Sequence, residues 1–143
     1  MAQNNVCPGF NAAAEYTVSG IPHVVSGSAT STPTVIEFPF VTRAITIANN
    51  SVVGTVLEVG FTLNGVNLAN RFPLDGKQTQ RFEVRVRDLW LRSESNVTAS
   101  FGVLAELTAI ERRQMLPLTG SVDMLTYAGQ LAATGSIVWP GVG

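Results

Sequence analysis

Gln80-Arg81-Phe82-Glu83-Val84-Arg85-Val86-Arg87 decides how this chain must be read. Apolar Phe82, Val84 and Val86 alternate with charged Arg81, Glu83, Arg85 and Arg87. Successive side chains of a β-strand point to opposite faces, so the run predicts a strand with one face in a core and the other outside it. The same period recurs on both sides. Leu57, Val59, Phe61 and Leu63 form one stripe. Val97, Ala99, Phe101, Val103, Ala105 and Leu107 form another, with Thr98, Ser100, Gly102, Leu104, Glu106 and Thr108 on its opposite face. Ile45 and Ile47 give a shorter stripe, as do Ile36, Phe38 and Phe40. Pro39 lacks an amide hydrogen and confines that last stripe to a sheet edge or a strand end.

Turn signals separate the stripes. Asn64-Gly65 predicts a two-residue turn, because both residues tolerate positive φ, and Asp75-Gly76 gives a similar signal. Asn49-Asn50-Ser51 ends the Ile45 stripe, and Ser93-Glu94-Ser95-Asn96 precedes the Val97 stripe. Further strands are expected over 15–18 and 21–26, with a loop over 27–33, and residues 88–92 continue or follow the arginine-rich strand. The sum is about eight short strands, which predicts an all-β, antiparallel β-sandwich of jelly-roll kind with extended N- and C-terminal arms. The expected division is an arm over 1–14, a sandwich domain over 15–113, and an extension over 114–143 that packs on the domain or on a neighbouring subunit. The predicted core is Leu57, Val59, Phe61, Phe82, Val84, Val86, Phe101 and Val103. One helix is a candidate, over 124–132 with Asp123 as N-cap, weakened by Thr126, Tyr127 and Gly129.

Charge is distributed unevenly. All nine basic residues lie between Arg43 and Arg113; before them stand only Glu15 and Glu37, and after them only Asp123. Charged residues make up 13% of the chain, against about a quarter in an ordinary soluble domain. Uncharged ends rich in Ala, Val and Gly solvate poorly, so they are expected to lie against other copies or a larger shell. A formal net charge of −1 argues against nucleic-acid binding. No run reaches the ~20 apolar residues of a membrane-spanning helix, and the first residues show no secretory signal pattern. The triplets Asn49-Asn50-Ser51 and Asn96-Val97-Thr98 match a glycosylation pattern that means little without a secretory route.

Residues for chemistry are sparse. Cys7 is the single cysteine and cannot close a disulfide within the chain. His23 is the single histidine; it stands in apolar Ile21-Pro22-His23-Val24-Val25, reads as structural, and has no Gly-x-Ser-x-Gly nucleophile elsewhere to serve. Glu58, Glu83 and Glu106 lie on predicted strands and point away from the core, which reads as arginine-paired surface rather than a glycosidase pair. Trp90, Trp139, Tyr16 and Tyr127 are candidates for a sugar platform but share no spacing. No cofactor, metal or small-molecule ligand is expected. The stripe Arg81, Arg85, Arg87 and Arg92 reads as a solvated face with cross-strand partners or as a subunit-facing strip, since arginine suits interfaces. Phe10, after Pro8-Gly9, is the expected anchor of the N-terminal arm, and Trp139 tucks into its own domain or into a neighbour. The candidate interface residues are therefore Phe10, Arg81, Arg85, Arg87, Arg112, Arg113 and Trp139.

The segments Arg43 to Asn49, Val59 to Val66, Phe72-Pro73-Leu74, Phe82 to Leu91 and Val103 to Ile110, taken in order, resemble small β-sandwich structural proteins of virions. They look most like capsid decoration, or cement, proteins of tailed bacteriophages, and the closing Gly141-Val142-Gly143 fits the same impression. The resemblance covers about residues 43 to 143. It implies a jelly-roll-like protein without catalytic residues. Such a protein would be made in the host cytoplasm and bound as a homotrimer to the major capsid protein on the outside of a head shell. A dimer, or a monomer that associates only on the shell, is the alternative assembly. A single-sandwich capsid or tail component, and a carbohydrate-binding module for host attachment, are the alternative functions.

Overall fold

Alternation becomes strand over most of the chain. A computed structural model describes residues 19–94, 96–116, 118–119, 137–138 and 140–142. The strands are β1 (Ile21–Ala29), β2 (Thr34–Glu37), β3 (Phe40–Asn49), β4 (Leu57–Gly60), β5 (Phe72–Leu74), β6 (Thr79–Phe82), β7 (Asp88–Ser93) and β8 (Ala99–Glu111). β1 pairs with β8, β2 with β7, β3 with β6 and β4 with β5, all antiparallel. That is the pairing of one long hairpin, doubled back between β4 and β5 and then rolled up. Rolling lays β3 against β8 and β4 against β7. The result is two four-stranded sheets, sheet A in the order β1-β8-β3-β6 and sheet B in the order β2-β7-β4-β5. This order is that of a jelly roll.

The core lies between the two sheets. Ile45 and Ile47 of β3, Leu57 and Val59 of β4, Leu89 and Leu91 of β7 and Val103 of β8 are fully buried there, together with Phe38. Of the predicted core, Leu57, Val59, Val86, Phe101 and Val103 are buried; Phe61, Phe82 and Val84 are partly buried and pack against the same cluster. A smaller cluster of Val41, Ile110 and Met115 closes one end.

Four local expectations change. The run Gln80 to Arg87 is not one strand: β6 stops at Phe82, and residues 83–87 cross from sheet A to sheet B. Thr42 pins that crossing from a register shift in β3. Its hydroxyl donates to the Val84 carbonyl at 2.8 Å and accepts from the Val86 amide at 3.1 Å. Alternation survives the break because the crossing stays extended over the core. The Leu57 stripe ends at Gly60, and Asn64-Gly65, expected as a turn, lies inside a short helix, α1 (Leu63–Asn67). Thr62 caps that helix, its hydroxyl accepting from the Gly65 amide at 2.9 Å. The Ile36-Phe38-Phe40 stripe divides at Pro39, as expected, into β2 at the edge of sheet B and β3, while Phe38 drops into the core and donates its amide to the Arg87 carbonyl at 2.9 Å. β1 continues through Ala29, where a loop was expected. The Asp75-Gly76 turn forms, with Lys77 at a φ of 67°. The arm over 1–14, the strand over 15–18 and the helix over 124–132 fall outside the described residues.

Candidate functional site

The jelly roll presents two outward faces built from the residues that alternate with the core. On sheet A, one row across the four strands reads Val24, Leu104, Thr46, Arg81, and the next reads Ser26, Gly102, Ala48, Thr79. Val24 is 72% exposed and Leu104 40%. Arg81 and Glu106 form an ion pair on this face, and Glu83 stands 3.5 Å from the same guanidinium. The hydrogen bond to Glu106 is the main reason that the Arg81 pKa is raised above its ordinary value. The rest of the two rows is small and uncharged.

Sheet B is built on the same alternation but is covered over its centre, while Val35 and Pro73 on its outer strands stay exposed. Its outward rows read Val35, Trp90, Gly60 and Arg92, Glu58, Pro73. The segment over 61–71, with α1 in it, folds down on them. Val66 is fully buried, and a methyl group at Gly60 would stand 2.8 Å from its Cβ, so only glycine lets the helix settle here. The cover buries Glu58, which stays 3% exposed. It is met by Arg71 Nε at 2.8 Å and by Arg92 Nε and Nη2 at 2.7 and 2.6 Å. A buried carboxylate needs such partners, because an unpaired one would be too costly to desolvate. The chain end adds a second layer. Thr62 donates its hydroxyl to the Val142 carbonyl at 2.6 Å, and Asn70 donates its side-chain amide to Gly141 at 3.1 Å. Two short parallel strands, β9 (Leu118–Thr119) and β10 (Ile137–Val138), belong to the same extension. The described part of the C-terminal extension therefore sits on its own domain.

A groove of about 200 Å³ opens beside this cover, lined by Phe61, Thr62, Leu63, Arg87, Asp88, Trp90 and Leu118. Its charged groups are already engaged. Arg87 Nη1 donates to the Met115 carbonyl at 2.9 Å, while Asp88 takes Arg87 Nε at 3.4 Å on one oxygen and Arg112 on the other. Arg112 also donates to the Arg87 carbonyl at 2.6 Å and to the Phe38 carbonyl at 3.3 Å. This network ties the crossing after β6 to the chain following β8.

The candidate residues from the sequence thus separate. Arg81 lies on the outward face of sheet A. Arg92 lies on sheet B, clamped on Glu58. Arg85 is exposed in the crossing between them. These arginines form no single strip, because the chain changes sheet in the middle of the stripe. Arg87 and Arg112 are half-buried in the network above, and Arg113 is exposed and pairs with Glu111. Phe10 and Trp139 lie outside the described residues. His23 is half-buried, its ring edge-on to Phe38 at 5.8 Å between centroids. The sequence reading missed Asn49 as a structural residue. It is 1% exposed and donates its side-chain amide to the carbonyls of Thr55 and Leu74 at 2.7 and 2.9 Å, a geometry that leaves nothing for a glycan to join.

Among the described residues, no three His, Cys, Asp or Glu side chains converge as metal ligands, and no helix is long and apolar enough to cross a membrane. No family model and no curated protein match the chain. Among solved structures, that of IMPa from Pseudomonas aeruginosa in complex with an O-glycopeptide aligns over 64% of this chain and 13% of that one, at 14% identity. Its TM-score is 0.37, and a likeness at that level carries no argument about fold or function.

Proposed function

We propose that this chain is a non-enzymatic virion structural protein that binds the outside of a capsid and clamps neighbouring subunits, with the major capsid protein and further copies of itself as partners. The observation that carries this reading is the outward face of sheet A. It is a surface four strands wide that exposes Val24 and Leu104 among Ser, Thr, Gly and Ala and gathers its charge around Arg81, which pairs with Glu106 and Glu83. Such a surface suits a partner that removes it from water, at roughly 25 cal/mol per Å² of apolar area. Many symmetric copies on a shell then multiply a modest contact. The resemblance noted from the sequence points the same way.

The test uses particles from an infection that produces the chain, stripped of it and then given the purified protein back. Wild type should saturate the shells in co-sedimentation, and Leu104→Lys should weaken the attachment at least tenfold. Equal attachment of both proteins would sink the reading. The groove beside Trp90 favours one alternative, a carbohydrate-binding module. Saturable glycan binding that Trp90→Ala abolishes, with no attachment to particles, would replace the first reading with that one.

A further inference from the structure

We propose that the free edge of β1 pairs antiparallel with β1 of a second copy, joining two A sheets into one continuous sheet across a two-fold axis. The two sheets have four edges. β6 and β2 are four residues long and carry Arg81 and Glu37, and β5 is three residues long and contains Pro73. Short length, charge and proline are the devices by which folded proteins blunt an edge against further pairing. β1 uses almost none of them. It runs nine residues, Ile21–Ala29, without a charged side chain. Its register against β8 is unbroken from Ile21↔Leu107 to Ala29↔Ala99, so no bulge twists it away. Pro22 removes one amide hydrogen near its start and leaves 23–29 open. Among the described residues, β8 is the only strand paired with β1.

The occupant follows from charge and symmetry. Around a two-fold axis an antiparallel strand meets its own residues, so any charge on it would face a like charge. β1 has none, and the chain as a whole has a net charge of only −1, so two copies approach without repulsion. The geometry also serves the docking face. Across the axis the outward rows of one A sheet run on into those of the other, and the two outward faces become one. That last consequence rests on the capsid-binding reading; the pairing itself does not. A contact of this kind makes a dimer of a monomer, or links preformed oligomers in pairs.

The full chain is tested in isolation, by sedimentation and by hydrogen exchange across micromolar concentrations. Wild type should show twice the mass of Ser26→Lys, which sets two lysines beside the axis at an exposed position. Amides over 23–29 should gain protection with concentration in wild type and not in the variant. Circular dichroism and melting check that the variant folds. Val24→Lys, at the more exposed neighbouring site, repeats the test should Ser26→Lys fail to fold. Equal masses for wild type and a folded variant would overturn the proposal. So would β1 amides protected equally at every concentration, which would mean that the same copy covers the edge. Pairing that persists in a protein unable to bind shells would reject the capsid reading and leave this one standing.

Discussion

Sheets A and B have the same strand count and the same alternation, yet the centres of their outward faces end in opposite states. On sheet A the outward row at Leu104 meets solvent, and the Arg81–Glu106 ion pair there is half open to water. On sheet B the outward Glu58 is as buried as a core residue, because the segment over 61–71 and the chain end close over it. A strand determines which side a residue points to. What lies on that side is decided by segments from elsewhere in the chain. The same charged side chain is therefore a surface group on one sheet and a structural bolt on the other.

The core shared by both faces sets the scale of the tests. Phe101→Ala should cost about 3–5 kcal/mol in urea unfolding, the usual loss for a buried phenylalanine. Phe61→Ala should cost clearly less, since Phe61 is only partly buried. Equal costs would mean that the chain just past the end of β4 is better packed than the exposure of Phe61 indicates. Next comes the covered face. Glu58→Ala leaves Arg71 and Arg92 facing each other without their carboxylate, and should cost about 3 kcal/mol, at the low end for a broken buried pair because both arginines keep some contact with water. A change in melting temperature of under about a degree would show that the cover does not depend on the carboxylate.

Gly65→Ala should have a smaller effect, about 1–2 kcal/mol. A methyl group there would stand 2.1 Å from the Val142 carbonyl, so the chain end must move off α1. Proteolysis of the C-terminal residues should speed up in the same variant, and an unchanged cleavage rate would place the strain elsewhere. The smallest effect on stability belongs to the open face. Leu104→Lys should shift unfolding by no more than about 0.5 kcal/mol, as expected of an exposed position away from special features. A loss above about 2 kcal/mol would show that Leu104 is packed within the monomer, and the contrast between the two faces would disappear.

Much of this was legible in advance, for reasons that particular residues make plain. Ala99 to Leu107 alternate without a break and become the longest strand, since neither proline nor a turn signal interrupts them. Asp75-Gly76 became a turn because its chemistry is local. Asn64-Gly65 was misread because an equally local signal, the Thr62 cap, selects helix once Val66 can pack on Gly60. The arginine stripe was misread for a related reason. Alternation reports extension, and an extended segment crossing between sheets alternates as a strand does. Asn49 carried no signal beyond its place at a strand end, because its partners, Thr55 in a loop and Leu74 at the end of β5, are brought together only by the fold.

The class of fold, the inward side of β2, β3, β4, β6 and β8, and the scarcity of charge are all present in the sequence alone. These follow from the two-residue period of a strand and from side-chain type, and both are properties of neighbouring residues. It took the assembled fold to place β1 at a sheet edge with β8 as its one partner among the described residues, to share the stripe from Arg81 to Arg92 between two sheets, and to bury Glu58 while leaving Arg81 exposed. Each of these depends on which distant segment arrives above a given face. That is set by rolling a whole hairpin around one core, and no local period encodes it.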